Sequence, residues 1–360
     1  MSLRAGIIGT GGVAGMGLLG VHDEGDIGTK PVQASHAGGY ANSDSVELVA
    51  VADIDEEKLN RFGEVWDIPE AGRYIGHEAM LDAEDLDVVS VATPTFLHHD
   101  HVVDAVRLAD PDAIWCEKPI ASNVSDARNM VDVCSEAKTE LVVNHTSRFT
   151  DNMRTLHEHI RDGLIGDIRS MTGLFRRELL RNSTHVLDTM TLMTDSRGQR
   201  VSGYLNGEND AVDALDAGES VDDSGGGGHI IFEDGTFATV DCTVSRDEST
   251  YAYHFLGTDG RVEVNIVEGS WRYWDLVDGA HVEKELPDLE ADPDGYAKGF
   301  ANAVEHIESV ITGAESNRSS GEDAIRSLEI IIALYISDFT GGHVSLPLDR
   351  PLEDVDVTSW

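Results

Sequence analysis

Several short stretches of the chain carry residues whose types and spacing fit chemistry on a small molecule. The first is Gly9-Thr10-Gly11-Gly12-Val13-Ala14, which follows an apolar run and reads Gly-x-Gly-x-x-Ala. In such a turn the first glycine permits the reversal and the second lets backbone approach a pyrophosphate. A small third residue lets helix and strand pack closely, and helix N-terminal amides receive the anion. Gly9, Gly11, Gly12, Val13 and Ala14 are therefore candidate dinucleotide ligands. Asp53 ends a second apolar run, Val46 to Ala52, where a carboxylate can accept hydrogen bonds from the adenosine ribose. It follows Gly9 by 44 residues, about twice the usual interval, so residues 17–35 read as an insertion.

Two further apolar runs end on Thr93-Pro94 and on Glu117-Lys118-Pro119, the strand ends where open α/β sheets hold ligands. Lysine is rare here, with only Lys30, Lys58, Lys118, Lys138, Lys284 and Lys298 in the chain. An ammonium behind a buried strand needs partners, and Glu117 or a substrate hydroxyl can supply them. His185, within Asn182-Ser183-Thr184-His185-Val186-Leu187-Asp188, can accept a hydroxyl proton as hydride leaves the same carbon. His98, His99 and His101 have metal-ligand proximity but no accompanying carboxylate scaffold, so they read as packing or capping groups and no metal is expected. No Gly-x-Ser-x-Gly elbow, Cys/His nucleophile arrangement or Walker lysine appears.

These residues need elements to hold them. Apolar runs at 3–8, 46–52, 88–92, 113–116 and 141–144 alternate with helical spacing, including helices around 99–109 and 124–137. Alternation of that kind predicts βαβ units and a doubly wound parallel sheet of the Rossmann type over residues 1–147. Beyond it the rhythm changes. A helix near 152–162 closes at Gly163, the glycine run 224–228 precedes strands within 229–244, 251–257 and 261–267, and helices cover 295–313 and 321–338. That order predicts an α/β domain over 148–360 with an open, predominantly antiparallel sheet, its C-terminal helix free to pack back on the first domain. Segment 206–223 reads as an acidic surface loop.

The 360 residues include 67 acidic and 26 basic ones, a formal charge of −41. Such a surface repels phosphate backbones and anionic lipids, so neither nucleic acid nor membrane is an expected partner. The acid is spread along the whole chain, which reads as a halophile-type solvated surface instead of an acidic tail for a basic partner. Cys116, Cys134 and Cys242 lie far apart with no C-x-x-C spacing, which fits a reducing compartment. No signal-peptide core or membrane-length apolar run is present, so a cytoplasmic location is expected.

The ordered set Val91-Ala92-Thr93-Pro94-Thr95 with His98, Cys116-Glu117-Lys118-Pro119-Ile120, Asn144-His145-Thr146-Ser147-Arg148-Phe149 and Gly163-Leu164-Ile165-Gly166 resembles the signatures of the Gfo/Idh/MocA oxidoreductases. The stretch from Ser320-Gly321-Glu322-Asp323-Ala324 to Leu346-Pro347-Leu348 is similar too, so the resemblance covers nearly the whole chain. It implies oxidation or reduction of sugars, inositols or related carbohydrates with NAD or NADP, NAD being favoured by Asp53, and homodimers or homotetramers built on the exposed sheet face. It carries the catalytic lysine to Lys118 and the catalytic histidine to His185. Thr93, Pro94, Glu117, Lys118 and His145 fall on the cofactor side, and Arg148, Arg181, Lys118 and His185 on the substrate side. One position departs: Arg181 stands four residues before His185, where the family has an aspartate. Two alternatives stay open at this point, a nucleotide-binding regulator without turnover and a glycoside hydrolase that oxidises its sugar transiently.

Overall fold

The computed structural model describes residues 2–16, 33–206, 220–245, 248, 250–289, 291–292 and 294–358. Most of the insertion expected at 17–35 and of the loop expected at 206–223 lies outside the described residues. The chain divides into two compact units, one taking residues 1–121, 127–150 and 294–322, the other 122–126, 151–293 and 323–360.

In the first unit, Leu3–Ile8 (β1), Val46–Asp53 (β2), Arg73–Ile75 (β3), Val88–Val91 (β4), Ala113–Cys116 (β5) and Glu140–Val143 (β6) form a parallel sheet in the order β3-β2-β1-β4-β5-β6. Helices His36–Ala41 (α1), Glu56–Val65 (α2), His77–Ala83 (α3), His98–Ala109 (α4) and Val124–Ala137 (α5) intervene in sequence. Every residue of β4 and β5 is buried, which is why both read as unbroken apolar runs without alternation. Trp115, Phe149 and Val142 share one core with Phe300, Val304 and Ile307 of the helix Gly295–Ile311. Asp55 starts α2 by accepting hydrogen bonds from the backbone of Glu57 and Lys58, each 3.1 Å. The strand order reverses between β1 and β4, leaving a crevice beyond their carboxyl ends.

The second unit contains Ile168–Arg176 (β7), Gly198–Asn206 (β8), Val221–Asp222 (β9), Gly225–Phe232 (β10), Phe237–Val244 (β11), Tyr251–Gly257 (β12), Gly260–Asn265 (β13), Ser270–Val277 (β14), Ala280–Lys284 (β15), Val344–Ser345 (β16) and Val357–Thr358 (β17). Nine of these make one sheet, β15-β14-β13-β12-β7-β11-β10-β8-β16, antiparallel at every pair except β7 with β11. Helices Asp151–Arg161 (α6), Thr184–Thr194 (α7) and most of Gly321–Thr340 belong with it.

The glycine run expected ahead of a strand lies inside β10 instead. Gly228 pairs across the ladder with Gly203 of β8. A Cβ on Gly203 would stand 2.2 Å from the backbone oxygen of Leu334, and one on Gly228 would stand 2.6 Å from the Leu334 side chain. The helix Gly321–Thr340 thus rests its backbone on Gly203 and the Leu334 side chain on Gly228, and Ser337 accepts the Gly203 amide at 2.8 Å. Since no rotamer can relieve a clash with backbone, Gly203→Val is expected to cost about 3 kcal/mol or more, the upper end of overpacking penalties. Thermal melting is the check, with a drop of roughly 10 °C expected for a unit of this size; an unmoved Tm would show that the helix is not seated there.

All three cysteines are buried and free, and burial pushes the Cys134 and Cys242 thiols up to about 12. Among the described residues no helix is long and apolar enough to cross a membrane.

Candidate functional site

The glycine turn sits where β1 meets the crevice. Gly9 adopts φ +96°, a region an L side chain rarely enters, and a Cβ there would meet the Thr93 methyl at 2.9 Å and the Ala92 oxygen at 3.0 Å. At Gly11 the opposite holds. Nothing lies within 4 Å of its Cβ position, so the backbone faces open space. Residues Gly12–Met16 form one wide helical turn, broken at Gly15 with φ 157°. Ala14 is fully buried and Val13 packs against the same core, so these two support the turn from the protein side.

Asp53 closes the turn from β2. One carboxylate oxygen accepts the Thr10 amide at 2.8 Å and the Thr10 hydroxyl at 2.6 Å, and the other accepts the Asp55 amide at 2.9 Å. Thr10 is not among the residues that the glycine pattern singles out, and its place between Gly9 and Gly11 is its only signal. A cavity of about 900 Å³ opens here, and its wall includes Gly9, Gly11, Gly12, Asp53, Thr93 and Pro94. The turn, the second-strand carboxylate and the Thr93-Pro94 pair therefore do come together.

The wall also contains Lys58 and Arg61 of α2, beyond the Ile54-Asp55 pair, together with His77 and His101. Lys58 lies 3.6 Å from the Asp55 carboxylate. Burial, with the rings of His77 and His98 beside it, pushes His101 down to about 4, so it faces the cavity uncharged and shares a 3.0 Å hydrogen bond with the Thr93 hydroxyl. Among the described residues, His77, Glu78 and Asp104 bring possible ligand atoms within 4.8 Å of one another, and His77 already bonds Asp104 at 3.0 Å. The neighbouring histidines are engaged separately. His99 bonds Asp100 and Asn129, while the buried His98 lies 2.9 Å from the carbonyl oxygens of both Thr93 and Pro119.

Glu117 is buried, with its carboxylate between His36 Nε2 at 3.0 Å and the Asn144 amide. Burial works against its charge, yet the His36 and Asn144 hydrogen bonds and the Lys118 ammonium outweigh it and hold the carboxyl below the usual range. Lys118 itself is half-buried and Lys118-Pro119 is a cis peptide. His145 is buried, and the buried Arg148 donates to the Arg318 carbonyl at 2.7 Å. His36 gives no signal in the sequence, being 81 residues from the carboxylate it holds.

In the second unit, Leu179–Ser183 forms a wide turn leading into α7, which carries His185 near its start. The Asp223 carboxylate fixes this turn by accepting the amides of Leu180 and Arg181 and the Tyr335 hydroxyl, each at 2.9 Å. The His185 ring is half-buried with the rings of Phe175 and Tyr251 at 6.2 and 6.4 Å, and Asp188 is wholly buried. In the sequence, Asp223 is only one acidic residue of an acidic stretch.

Residues 3–145 match the model of the GFO_IDH_MocA oxidoreductase family, described as an NAD-binding Rossmann fold. Over those residues the chain belongs to the Gfo/Idh/MocA oxidoreductases. D-apiose dehydrogenase of Paraburkholderia graminis is 26% identical to it over 343 residues, 89% of this chain and 88% of that protein. Inositol 2-dehydrogenase of Rhizobium meliloti is 23% identical over 84% of this chain and 93% of its own length. The fold is shared with the aldose-aldose oxidoreductase of Caulobacter crescentus, with a TM-score of 0.75 at 21% identity, covering 96% of this chain and all of that one.

Proposed function

We propose that this Gfo/Idh/MocA chain is a dehydrogenase of a sugar, polyol or related carbohydrate, with Lys118 and His185 acting on the substrate hydroxyl and NAD as the preferred cofactor. The observation that carries the reading is the crevice at the carboxyl edge of the parallel sheet. There an open backbone cradle at Gly11, the Asp53 carboxylate and Thr93-Pro94 line one cavity of about 900 Å³, and Lys118 follows the neighbouring strand β5. These residues fit a dinucleotide, with Gly9, Gly11 and Gly12 toward the pyrophosphate and Asp53 toward the adenosine ribose. The nicotinamide ring supplies a hydride acceptor or donor when bound. Lys118 donates a hydrogen bond to the hydroxyl oxygen and eases departure of its proton, and His185 accepts that proton. For the reverse reduction the same groups return it. The similarity to D-apiose dehydrogenase and inositol 2-dehydrogenase puts small polyhydroxylated molecules first among candidate substrates.

A screen of aldoses, sugar acids and inositols with NAD and NADP in high salt, read by nicotinamide absorbance, tests the reading. A regulator produces no change, and a transient-redox hydrolase releases a leaving group without net change. The reading carries with it a cytoplasmic site, supported by the three free buried cysteines. It also carries a homodimer or homotetramer on the outer face of the nine-stranded sheet, where Leu174, Tyr204 and Phe237 stand exposed.

Asp53 sets the cofactor preference. A 2′-phosphate would meet its carboxylate, already committed to Thr10 and Asp55. Lys58 and Arg61 in the same wall provide a counter-charge, so the expected preference for NAD is a matter of degree. Asp53→Ser is expected to raise kcat/KM with NADP relative to NAD. Better use of NADP by the unaltered protein would overturn the assignment.

A further inference from the structure

We propose that His36 and His98 are positioning residues for Lys118, one holding the side chain before it and the other the carbonyl after it. The effect on turnover rests on the catalytic reading of Lys118, whereas the positioning itself does not.

The hold on the leading side is a continuous buried chain. The Glu117 carboxylate can only accept, so His36 Nε2 donates to it across 3.0 Å. A neutral ring protonated there accepts at Nδ1 from the Ser90 hydroxyl across 3.0 Å, and Ser90 then accepts from the Tyr40 hydroxyl at 2.7 Å. Tyr40 stays protonated and able to donate to this chain because burial pushes its phenol well above the ordinary value. His36 and Ser90 are wholly buried, and the His36 ring rests on Trp115 with centroids 3.9 Å apart. Glu117 is thus held by two buried donors, His36 and Asn144.

On the trailing side, His98 lies 2.9 Å from the Pro119 carbonyl and, through its other nitrogen, 2.9 Å from the Thr93 carbonyl. Whichever nitrogen carries the proton, the ring ties one loop and abuts the other. Lys118 lies between these two holds, and Thr93 lines the cavity. The titratable groups around Glu117 are His36, Lys118, His98 and Cys116.

The test reads Lys118 directly. Trace acetylation with acetic anhydride in high salt, followed by mass spectrometry, gives the reactivity of each lysine, and the other lysines serve as internal references. In His36→Leu the buried Glu117 loses a donor and keeps its proton more readily, so Lys118 loses part of a neighbouring charge. A weaker neighbouring charge leaves more of its amine free to react. We expect labelling at Lys118 alone to rise several-fold in His36→Leu and in His98→Leu, and to return toward the original in His36→Gln, whose amide reaches Glu117. Where His36→Leu does not fold, His36→Asn, too short to reach Glu117, takes its place beside the glutamine variant. Unchanged labelling of Lys118, or a rise shared by all lysines, overturns the inference. Turnover is read in the same proteins. His36→Leu is expected to lose on the order of 10²-fold in kcat, as a displaced catalytic group does, while NADH affinity holds. Full turnover in Lys118→Ala would overturn the catalytic reading, and the labelling pattern would still decide the positioning by itself.

Discussion

Lys118→Ala and His185→Ala are each expected to lose on the order of 10²-fold or more in kcat while NAD still binds. Neither side chain is among the residues that line the cavity, so cofactor affinity measured by NADH fluorescence should be spared. A lysine present only to neutralise Glu117 predicts the reverse pattern. Its loss would leave a buried carboxylate short of a counter-charge, lower the Tm, and leave turnover of the surviving fold largely intact. For His185 the discriminating measurement is the pH profile. A histidine that accepts a proton must be uncharged, so activity rises with pH through its pKa. Arg181→Asp restores a carboxylate four residues before the ring. If position 181 faces the imidazole, the negative charge favours the protonated ring and moves the half-maximal pH upward. An unmoved profile would direct Arg181 toward an anionic group on the substrate, and sugar acids would then lead the candidates.

Which of these features the sequence shows, and which it hides, follows from how each is encoded. The parallel strands are legible because β4 and β5 are buried on both faces and must be apolar throughout. β3, three residues long and only partly buried, gives no such run. The glycines of β10 look like a linker in one dimension because a strand normally needs side chains to pack. For Gly228 the reason is the Leu334 side chain, about a hundred residues later, whose own backbone lies against Gly203 of β8. The site divides the same way. Gly9, Asp53 and Lys118 stand at strand ends that the apolar runs announce, whereas Thr10, His36 and Asp223 act through hydrogen bonds to partners 43, 81 and about 42 residues away. No local pattern encodes those pairings, since a single polar residue satisfies them.

Salt is expected to decide whether the protein folds at all. If every lysine and arginine paired with one carboxylate, 41 acidic side chains would still be left over. The ion pairs present do little against that excess. Lys58–Asp55 and Arg154–Asp151 join residues three apart on the surface, where solvent screens such pairs and they contribute little. Repulsion among the remaining charges acts over the screening length, about 10 Å at 0.1 M salt and about 3 Å at 1 M. At 1 M neighbouring carboxylates scarcely interact, while at 0.1 M each one feels several others, and the compact state bears a cost that an expanded chain relieves. Circular dichroism melts across a potassium chloride series should therefore show Tm falling steeply below molar salt, with sucrose at matched osmolality giving no comparable rescue of the kind that charge screening provides. Cofactor binding should follow the same course. A dinucleotide brings negative phosphates into this field, and among the described residues the cavity counters them with backbone amides at the glycine turn and with Lys58 and Arg61. The apparent Kd for NADH is thus expected to rise as salt is withdrawn, before the fold is lost. A Tm that stays level from 0.1 M to molar salt would refute the electrostatic account, because the acidic excess would then be borne without screening.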